Sequence, residues 1–168
     1  MSDMAPLDPQ RIVSVLARHG VAYVLVGPLA ARLQGFPRLT ADADLTPARD
    51  RLNLDRLAEA LRELGTRVYT EGIPEGLAFD CTGATLARAE IWNLVTDAGR
   101  VDLVFRPSGT DGFEDLRAGA LEFEVFGVRL AVASLADLIR TKEAAGRPQD
   151  RQDVLVLREM LRRRPDLR

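Results

Sequence analysis

The sequence predicts an α+β fold with a mixed β-sheet backed by helices and followed by C-terminal helices. In the first half, short apolar segments bounded by glycine and proline alternate with amphipathic segments. In the second half, paired apolar segments flank turn-forming residues, as in β-hairpins. Two helical patterns end the chain, and this order of elements is typical of an α+β domain.

Helices and strands are expected to alternate through the first part of the chain. Asp8 and Pro9 predict a helix start, because a capping carboxylate followed by proline suits a first helical turn. The leucines and alanines of residues 52–64 form one apolar stripe, which predicts an amphipathic helix. The expected order is a helix at 8–20, a strand at 22–26, a helix at 29–33, a strand at 40–45 ended by Thr46 and Pro47, a helix at 52–64 and a strand at 66–69.

The second part is expected to contain hairpins and then helices. Residues 71–87 are rich in glycine and threonine and predict a loop with a short strand. Ser134 is suited to cap a helix that Gly146 and Pro148 end. The expected elements are paired strands at 90–95 and 101–105, paired strands at 121–126 and 128–132, and helices at 135–145 and about 149–163. We therefore expect a core at 1–133 and a helical segment at 134–168, packed as one domain.

Composition predicts an ordinary soluble protein. The 168 residues are 46% hydrophobic and 29% charged, and the net charge is -2. No apolar run reaches the roughly 20 residues that span a bilayer, and the first nine residues lack a signal-peptide pattern. We expect a cytoplasmic protein without a membrane partner. The single cysteine, Cys81, has no internal disulfide partner, and His19 is expected at a helix end.

Asp42 and Asp44 are the most informative pair in the sequence. On a strand, residues i and i+2 point to the same face. Two adjacent carboxylates repel each other unless cations lie between them, and this arrangement suits a pair of Mg²⁺ ions that hold a nucleoside triphosphate. The alternative is a solvated strand end before a turn.

Asp102 is a candidate third ligand. It lies between Val101 and Leu103 on an expected strand, so its side chain points away from theirs. If this strand lies beside that of Asp42, three carboxylates converge, and Asp102 could also accept the proton of an attacking hydroxyl. The alternative is an exposed position on a hairpin.

The turn at Gly27 and the segment before Asp42 are candidates for binding phosphate. Gly27 would allow a phosphate to approach the backbone, and the next helix would offer free N–H groups, although Pro28 removes one of them. Arg38 and Thr40 could reach triphosphate oxygens. Arg38 could equally be a surface arginine.

The C-terminal part contributes a candidate cation. Lys142 is the one lysine among 23 basic residues, and it could hold a β- or γ-phosphate. It could instead pair with a nearby acid on a helix surface. Asp153 is a second candidate, whereas Asp150 is better explained as an acid at a helix start.

Two segments of the chain resemble a known superfamily. Gly27, the expected helix and the motif Arg38-x-Thr40-x-Asp42-x-Asp44-Leu45 resemble the first motif of the nucleotidyltransferases that include DNA polymerase beta. Residues 135–153, with Lys142, are similar to the lysine-containing tail of the AbiEii-type branch, which contains toxins of toxin–antitoxin and abortive-infection systems. The resemblance covers about residues 20–160 and implies that 1–133 is a nucleotidyltransferase core.

The resemblance implies an enzyme that transfers a nucleoside monophosphate from an NTP to a hydroxyl with two Mg²⁺ ions. In some members of the branch the acceptor is the 3′ end of tRNA, so tRNA and a cognate antitoxin protein are the implied partners. The implied metal ligands are Asp42, Asp44 and Asp102. The other implied site residues are Gly27, Lys142 and Asp153, and Arg38 and Thr40 are candidate nucleotide contacts.

The turn departs from the family pattern. Family members usually have Gly-Gly or Gly-Ser where this chain has Gly27-Pro28, and proline cannot supply a hydroxyl to the triphosphate. Three hypotheses follow. The favoured one is a toxin that modifies the tRNA 3′ end, and the alternatives are a transferase that modifies a protein or small molecule and a nucleotide-binding module with weak catalysis.

Overall fold

Eight strands form one sheet in the computed structural model, which describes residues 4–168. The strands are β1 (Tyr23–Val26), β2 (Asp42–Pro47), β3 (Arg67–Thr70), β4 (Ile73–Leu77), β5 (Ile91–Thr96), β6 (Gly99–Val104), β7 (Leu121–Val125) and β8 (Val128–Val132). The helices are α1 (Pro9–Arg18), α2 (Gly27–Leu33), α3 (Arg51–Glu63), α4 (Gly83–Leu86), α5 (Phe113–Gly119), α6 (Leu135–Ala145) and α7 (Asp150–Arg163), followed by a 3-10 turn at Pro165–Leu167.

The sheet is mixed, as predicted. Its order is β4-β3-β5-β6-β2-β1-β8-β7. Strand β2 runs parallel to β6 and β1 runs parallel to β8, whereas the other neighbours are antiparallel. This topology places β2 and β6, the two strands that carry the predicted metal ligands, side by side at the centre.

Side-chain caps explain where several helices begin. The carboxylate of Asp8 accepts a hydrogen bond from the backbone N–H of Arg11 at 3.0 Å. The hydroxyl of Ser134 accepts one from Asp137 N–H at 3.1 Å. Each bond satisfies an N–H group that has no partner within its helix. Gly146 ends α6 in the left-handed conformation, with a φ of 65°.

The structure differs from the sequence prediction at three places. Helix α5 was not predicted, and residues 71–87 contain the short helix α4 in addition to a strand. The expected stop at Thr46 and Pro47 was wrong, because β2 continues through Pro47. In this strand the Thr46 hydroxyl donates a hydrogen bond to the carbonyl of Val104 at 2.8 Å, which ties β2 to the end of β6.

The two halves of the sheet differ in how they are covered. Strand β1 is buried on both faces, since successive residues Val24, Leu25 and Val26 are all at most 6% exposed. On β5, Leu94 and Val95 are both buried but Ile91 and Asn93 are exposed, so one face of that strand is uncovered over its first half only. Helices α6 and α7 add apolar residues such as Leu138 and Leu157 to the same core as the sheet. The domain boundary at 133 stays a prediction.

Candidate active site

Three carboxylates converge where β2 lies beside β6. The parallel register places Asp44 opposite Asp102, and Asp42 lies two residues before Asp44 on the same face. One carboxylate oxygen from each residue lies within 4.8 Å of the other two, and all three residues are partly buried. The expected convergence of the two strands is therefore confirmed.

Burial and mutual repulsion raise two of the carboxylate pKa values. The pKa of Asp44 rises from 3.8 to about 7, mainly because burial disfavours its charge, with further increases from Asp42 and Asp102. Burial raises the pKa of Asp102 to about 6, although the Arg100 guanidinium opposes the increase and Asp42 adds to it. The charged form of this cluster is therefore costly without a cation.

The donor set fits Mg²⁺. Carboxylate oxygens are the hard ligands that this ion prefers. The buried Oδ1 of Asp102 receives no hydrogen bond from residues 4–168, and the nearest cationic group, Nη2 of Arg100, lies 3.7 Å away. Buried polar atoms normally have a partner, so an oxygen without one is available to a cation. A divalent ion there would bind Asp42, Asp44 and Asp102.

Gly27 leaves room for one of these carboxylates. Its φ is +68°, which glycine adopts more readily than other residues. A Cβ at this position would lie 2.3 Å from Oδ2 of Asp44. The glycine therefore allows the β1–α2 turn to pass directly beside the three-carboxylate cluster.

A cleft of about 640 Å³ opens over the three carboxylates. Gly27 and Pro28 line one side of it, and α6 contributes another side with Thr141 and Lys142. The remaining lining residues are Val26, Val104, Pro107, Ser108, Leu138, Ala145 and Arg147. The cleft therefore combines a cluster of anionic ligands with a cationic rim.

An ion-pair network holds Lys142 at this rim. Its Nζ lies 3.0 Å from Oδ1 of Asp150 and 3.3 Å from Oδ2 of Asp153. Nη1 of Arg38 is 2.9 Å from the same Asp153 oxygen, and Nε of Arg147 is 2.7 Å from Asp150. Lys142 is thus paired with acids, as in the alternative interpretation, but it also lines the cleft.

The other predicted contacts lie outside the cleft lining. Asp153 and Arg38 bind each other behind Lys142. The Thr40 hydroxyl donates a hydrogen bond to the backbone carbonyl of Asp42 at 2.9 Å, so it supports the start of β2. Asp150 begins α7, as expected, but it is buried and binds Lys142 directly.

Some lining residues were not singled out from sequence. Thr141 precedes Lys142 on α6, and Ser108 follows β6 in a proline-containing loop. Arg147 lies in the family-like tail. The only sequence signal for these residues was that they lie next to a motif. Their approach to the cleft depends on how the loop after β6 and helix α6 pack against the sheet.

Three other conspicuous groups lie outside the cleft lining. Nε2 of His19 lies 2.6 Å from Glu63 at the end of α1. Arg162 and Arg163 pair with Glu159. Cys81 is buried, and burial raises the pKa of its thiol to about 11, which disfavours the reactive thiolate.

Comparison with known proteins identifies the fold. The lincosamide adenylyltransferase LnuA, in a lincomycin-bound structure, is 14% identical over 92% of this chain and 99% of its own, with a TM-score of 0.60. The antibiotic-resistance factor ANT(2'')-Ia is 18% identical over 90% of this chain and 79% of its own, with a TM-score of 0.55. TM1012 of Thermotoga maritima, described as a nucleotidyltransferase, is 19% identical over 92% of this chain and 91% of its own, with a TM-score of 0.50.

The chain therefore has the nucleotidyltransferase fold, as its motifs predicted. Its likeness to LnuA, ANT(2'')-Ia and TM1012 is structural, because the identities are below 20%. No protein family model matches the sequence, and no curated protein matches it. The AbiEii-type branch stays a prediction. Within residues 4–168, every helix is too short or too polar to cross a bilayer.

Proposed function

We propose that this protein is a Mg²⁺-dependent nucleotidyltransferase that moves a nucleoside monophosphate from an NTP to a hydroxyl group. The observation that carries the proposal is the convergence of Asp42, Asp44 and Asp102 at the floor of a cleft. Within the nucleotidyltransferase fold, such a cluster suits metal-assisted phosphoryl chemistry. Bound Mg²⁺ would neutralise phosphate charge and orient the triphosphate.

The transfer is a single displacement at the α-phosphorus. The acceptor oxygen forms a bond to phosphorus, and the bond from phosphorus to the α,β-bridging oxygen breaks. Pyrophosphate leaves with that electron pair. The hydroxyl proton goes to a carboxylate, and Asp102 is the favoured base because β6 lies on the far side of β2 from the Gly27 turn, so one oxygen of Asp102 could hold an ion while the other accepts the proton.

The cleft walls suggest how the triphosphate is held. Gly27 brings the start of α2 next to Asp44, where the backbone can approach phosphate oxygens. Lys142 and Arg147 face the same cleft from α6 and the following turn. Their positive charges would bind the β- and γ-phosphates, and they would exchange part of their pairing with Asp150 and Asp153 for phosphate.

A small-molecule hydroxyl is the acceptor that we favour. Of the structures similar to this chain, one is a lincosamide antibiotic adenylyltransferase and another is an antibiotic-resistance factor. Two arginines near the cleft are paired with acids, Arg38 with Asp153 and Arg147 with Asp150. The net charge of -2 also gives the protein no overall excess of cations to neutralise a nucleic-acid backbone, which favours a smaller acceptor.

Transfer to the tRNA 3′ end, as the toxin of a toxin–antitoxin pair, is the second candidate. The similarity of residues 135–153 to the AbiEii-type tail supports it. A bound antitoxin would be the expected protein partner. A nucleotide-binding module with weak catalysis is the third, and Pro28 at the rim of the cleft supports it, because proline lacks both an N–H and a hydroxyl.

Labelled NTPs distinguish these candidates. Protein is incubated with Mg²⁺ and each α-labelled NTP, ATP first, together with total tRNA or with a panel of hydroxyl compounds that includes lincomycin. We expect label on a small molecule and no transfer by Asp44→Asn. Label on tRNA would support the toxin role instead. Mg²⁺-dependent NTP binding without any transfer would support the binding module and contradict the proposed activity.

A further inference from the structure

We propose that the acceptor binds on the open face of the sheet, defined here as Tyr69, Ile91, Asn93 and Arg100, and that this face selects a small, ring-bearing alcohol. This inference rests on the proposed transferase activity. The open face continues the surface that carries the three carboxylates. Asn93 on β5 lies directly opposite Asp102 on β6, and Ile91 lies opposite Val104.

Burial marks the part of the open face at Ile91 and Asn93 as uncovered by the fold, whereas Val95, two residues further along the same face of β5, is 2% exposed. On the other side of the carboxylates, Val26 lies opposite Asp44 and is only 6% exposed. On β5, Ile91 is 57% exposed and Asn93 is also exposed. An exposed isoleucine beside a catalytic cluster is available for contact with an apolar group. The carboxylates therefore lie at the boundary between a covered and an uncovered half of the sheet.

Arg100 and Tyr69 form a stacked pair beside the carboxylates. The Arg100 guanidinium carbon lies 4.1 Å from the centroid of the Tyr69 ring, and Nη2 lies 3.7 Å from Oδ1 of Asp102. The buried Nε of Arg100 has no hydrogen-bond acceptor among the residues that the structure describes. Stacking on an aromatic ring fixes the plane of a guanidinium. This pair therefore presents a rigid, partly buried polar edge next to the expected base.

The in-line geometry of phosphoryl transfer places the triphosphate and the acceptor over different halves of the sheet. The groups suited to triphosphate, Gly27 and Lys142, lie in the cleft over the covered half. In phosphoryl transfer the attacking and leaving oxygens lie roughly in line on opposite sides of phosphorus. Pyrophosphate on the covered side therefore requires the attacking hydroxyl to arrive from the uncovered side, over β6 and β5.

The side chains of the open face indicate the chemistry of the acceptor. Ile91 offers an apolar contact, Asn93 offers an amide that donates and accepts hydrogen bonds, and Tyr69 offers a ring edge. The cationic groups nearby are engaged, because Arg100 faces Asp102 and Nη2 of Arg67 lies 3.8 Å from Oδ1 of Asp97. A few polar groups around an apolar contact are typical of small-molecule sites. A ring that carries hydroxyl groups fits this surface better than a polyanion does.

The test uses Ile91→Glu with Leu155→Glu as its matched control. Leu155 is 59% exposed on α7, close to the 57% of Ile91, so both substitutions place a carboxylate on the surface without opening the core. The probes are a panel of ring-bearing alcohols that includes lincomycin, observed by methyl NMR of the full chain, with and without Mg²⁺ and α,β-methylene-ATP. Calorimetry measures binding of the ATP analogue.

We expect panel members to shift the Ile91 methyl signals, and Ile91→Glu to weaken their binding about tenfold, which corresponds to about 1.4 kcal/mol. Leu155→Glu should leave alcohol binding unchanged, and both variants should bind the ATP analogue as the wild type does. Alcohols that shift methyl signals elsewhere and leave Ile91 unaffected, or equal binding by Ile91→Glu, would overturn the proposal. Failure of the ATP analogue to bind the wild type would instead count against the transferase activity.

Discussion

At the scale of single residues, Asp44 and Asp102 are two carboxylates whose pKa values the fold raises. Both are largely removed from water, and each lies close to another acid. Their elevated pKa values mean that folding without a cation disfavours their charged forms. The proposed function and stability therefore oppose each other here, since a cluster suited to Mg²⁺ is unfavourable without a cation.

Removal of one charge should stabilise the metal-free protein. At pH 8 we expect Asp44→Asn to raise the free energy of unfolding by about 1–3 kcal/mol, because the neutral amide relieves repulsion in a buried cluster. Urea denaturation in a chelator measures this change, and the exposed Asp80→Asn serves as the control. Nucleotidyl transfer should fall about a hundredfold or more. A less stable Asp44→Asn protein would show that the charges are already compensated.

Gly27 allows a sharper comparison. Gly27→Ala should lower the free energy of unfolding by about 1–3 kcal/mol, from the positive φ and from contact with Asp44. Gly127→Ala is the matched control, because Gly127 has a φ of +73° and nothing within 4 Å of its Cβ position. We expect Gly27→Ala, but not Gly127→Ala, to abolish Mg²⁺-dependent nucleotide binding in a calorimetric titration. Equal binding by the two variants would mean that Asp44 can move without consequence.

At the scale of elements, the α6–α7 corner positions a cation for the cleft. Lys142 comes from α6, and its two acidic partners, Asp150 and Asp153, come from the first turn of α7. Arg38, from the segment before β2, joins the same network through Asp153. The network therefore joins three separate parts of the chain, and Asp153 holds the lysine from behind the cleft.

Asp153 is expected to be a positioning residue. Asp153→Asn should lower stability by about 1–3 kcal/mol, because it leaves the partly buried Lys142 with one acid fewer. Its effect on transfer should appear chiefly as a raised KM for NTP, with kcat reduced less than by Asp44→Asn. Steady-state kinetics beside urea denaturation separates the two roles. A large loss of kcat with unchanged KM would place Asp153 in the chemistry itself.

The elements also show how far the sequence could predict this structure. The bounds of α6 were predicted at both ends, because Ser134 and Gly146 are local capping signals. The sequence could not establish that Asp44 and Asp102 lie on neighbouring strands, since strand order depends on long-range pairing. Helix α5 was missed because Gly112 and Gly119 enclose a segment too short for a clear helical period.

Contacts between distant side chains lay beyond sequence reasoning. Arg38 and Asp153 are 115 positions apart, and only their packing brings them together. The same is true of Arg100, whose stacking on Tyr69 requires β3, β5 and β6 to be adjacent. The sequence therefore indicated the three carboxylates that converge, which lie in one local motif and one strand, but not the residues that surround them.

At the scale of the whole molecule, protons and Mg²⁺ should compete for one site. Because the pKa of Asp44 rises from 3.8 to about 7 on folding, the folded state holds protons that the unfolded state has released across this range. The contribution of Asp44, and of Asp102 with its pKa of about 6, therefore makes the metal-free protein less stable as pH rises from about 4 to 7.

Added Mg²⁺ should reverse this trend. The ion binds the deprotonated carboxylates, so its stabilising effect should grow as pH rises through 6 and 7. Thermal unfolding with and without Mg²⁺ and α,β-methylene-ATP, at pH 5 and at pH 8, measures the coupling. We expect a larger Tm increase at pH 8, and a much smaller difference between the two pH values for Asp102→Asn. A Tm increase that is equal at both pH values would argue against carboxylate ligation.

The most direct test is calorimetric titration of the wild type and of the double variant Asp44→Asn, Asp102→Asn with Mg²⁺ and α,β-methylene-ATP. A metal site built from β2 and β6 predicts nucleotide binding by the wild type that requires Mg²⁺, and none by the double variant, which should still unfold cooperatively. Mg²⁺-dependent binding of equal strength by both proteins would contradict the assignment of these carboxylates as the metal ligands.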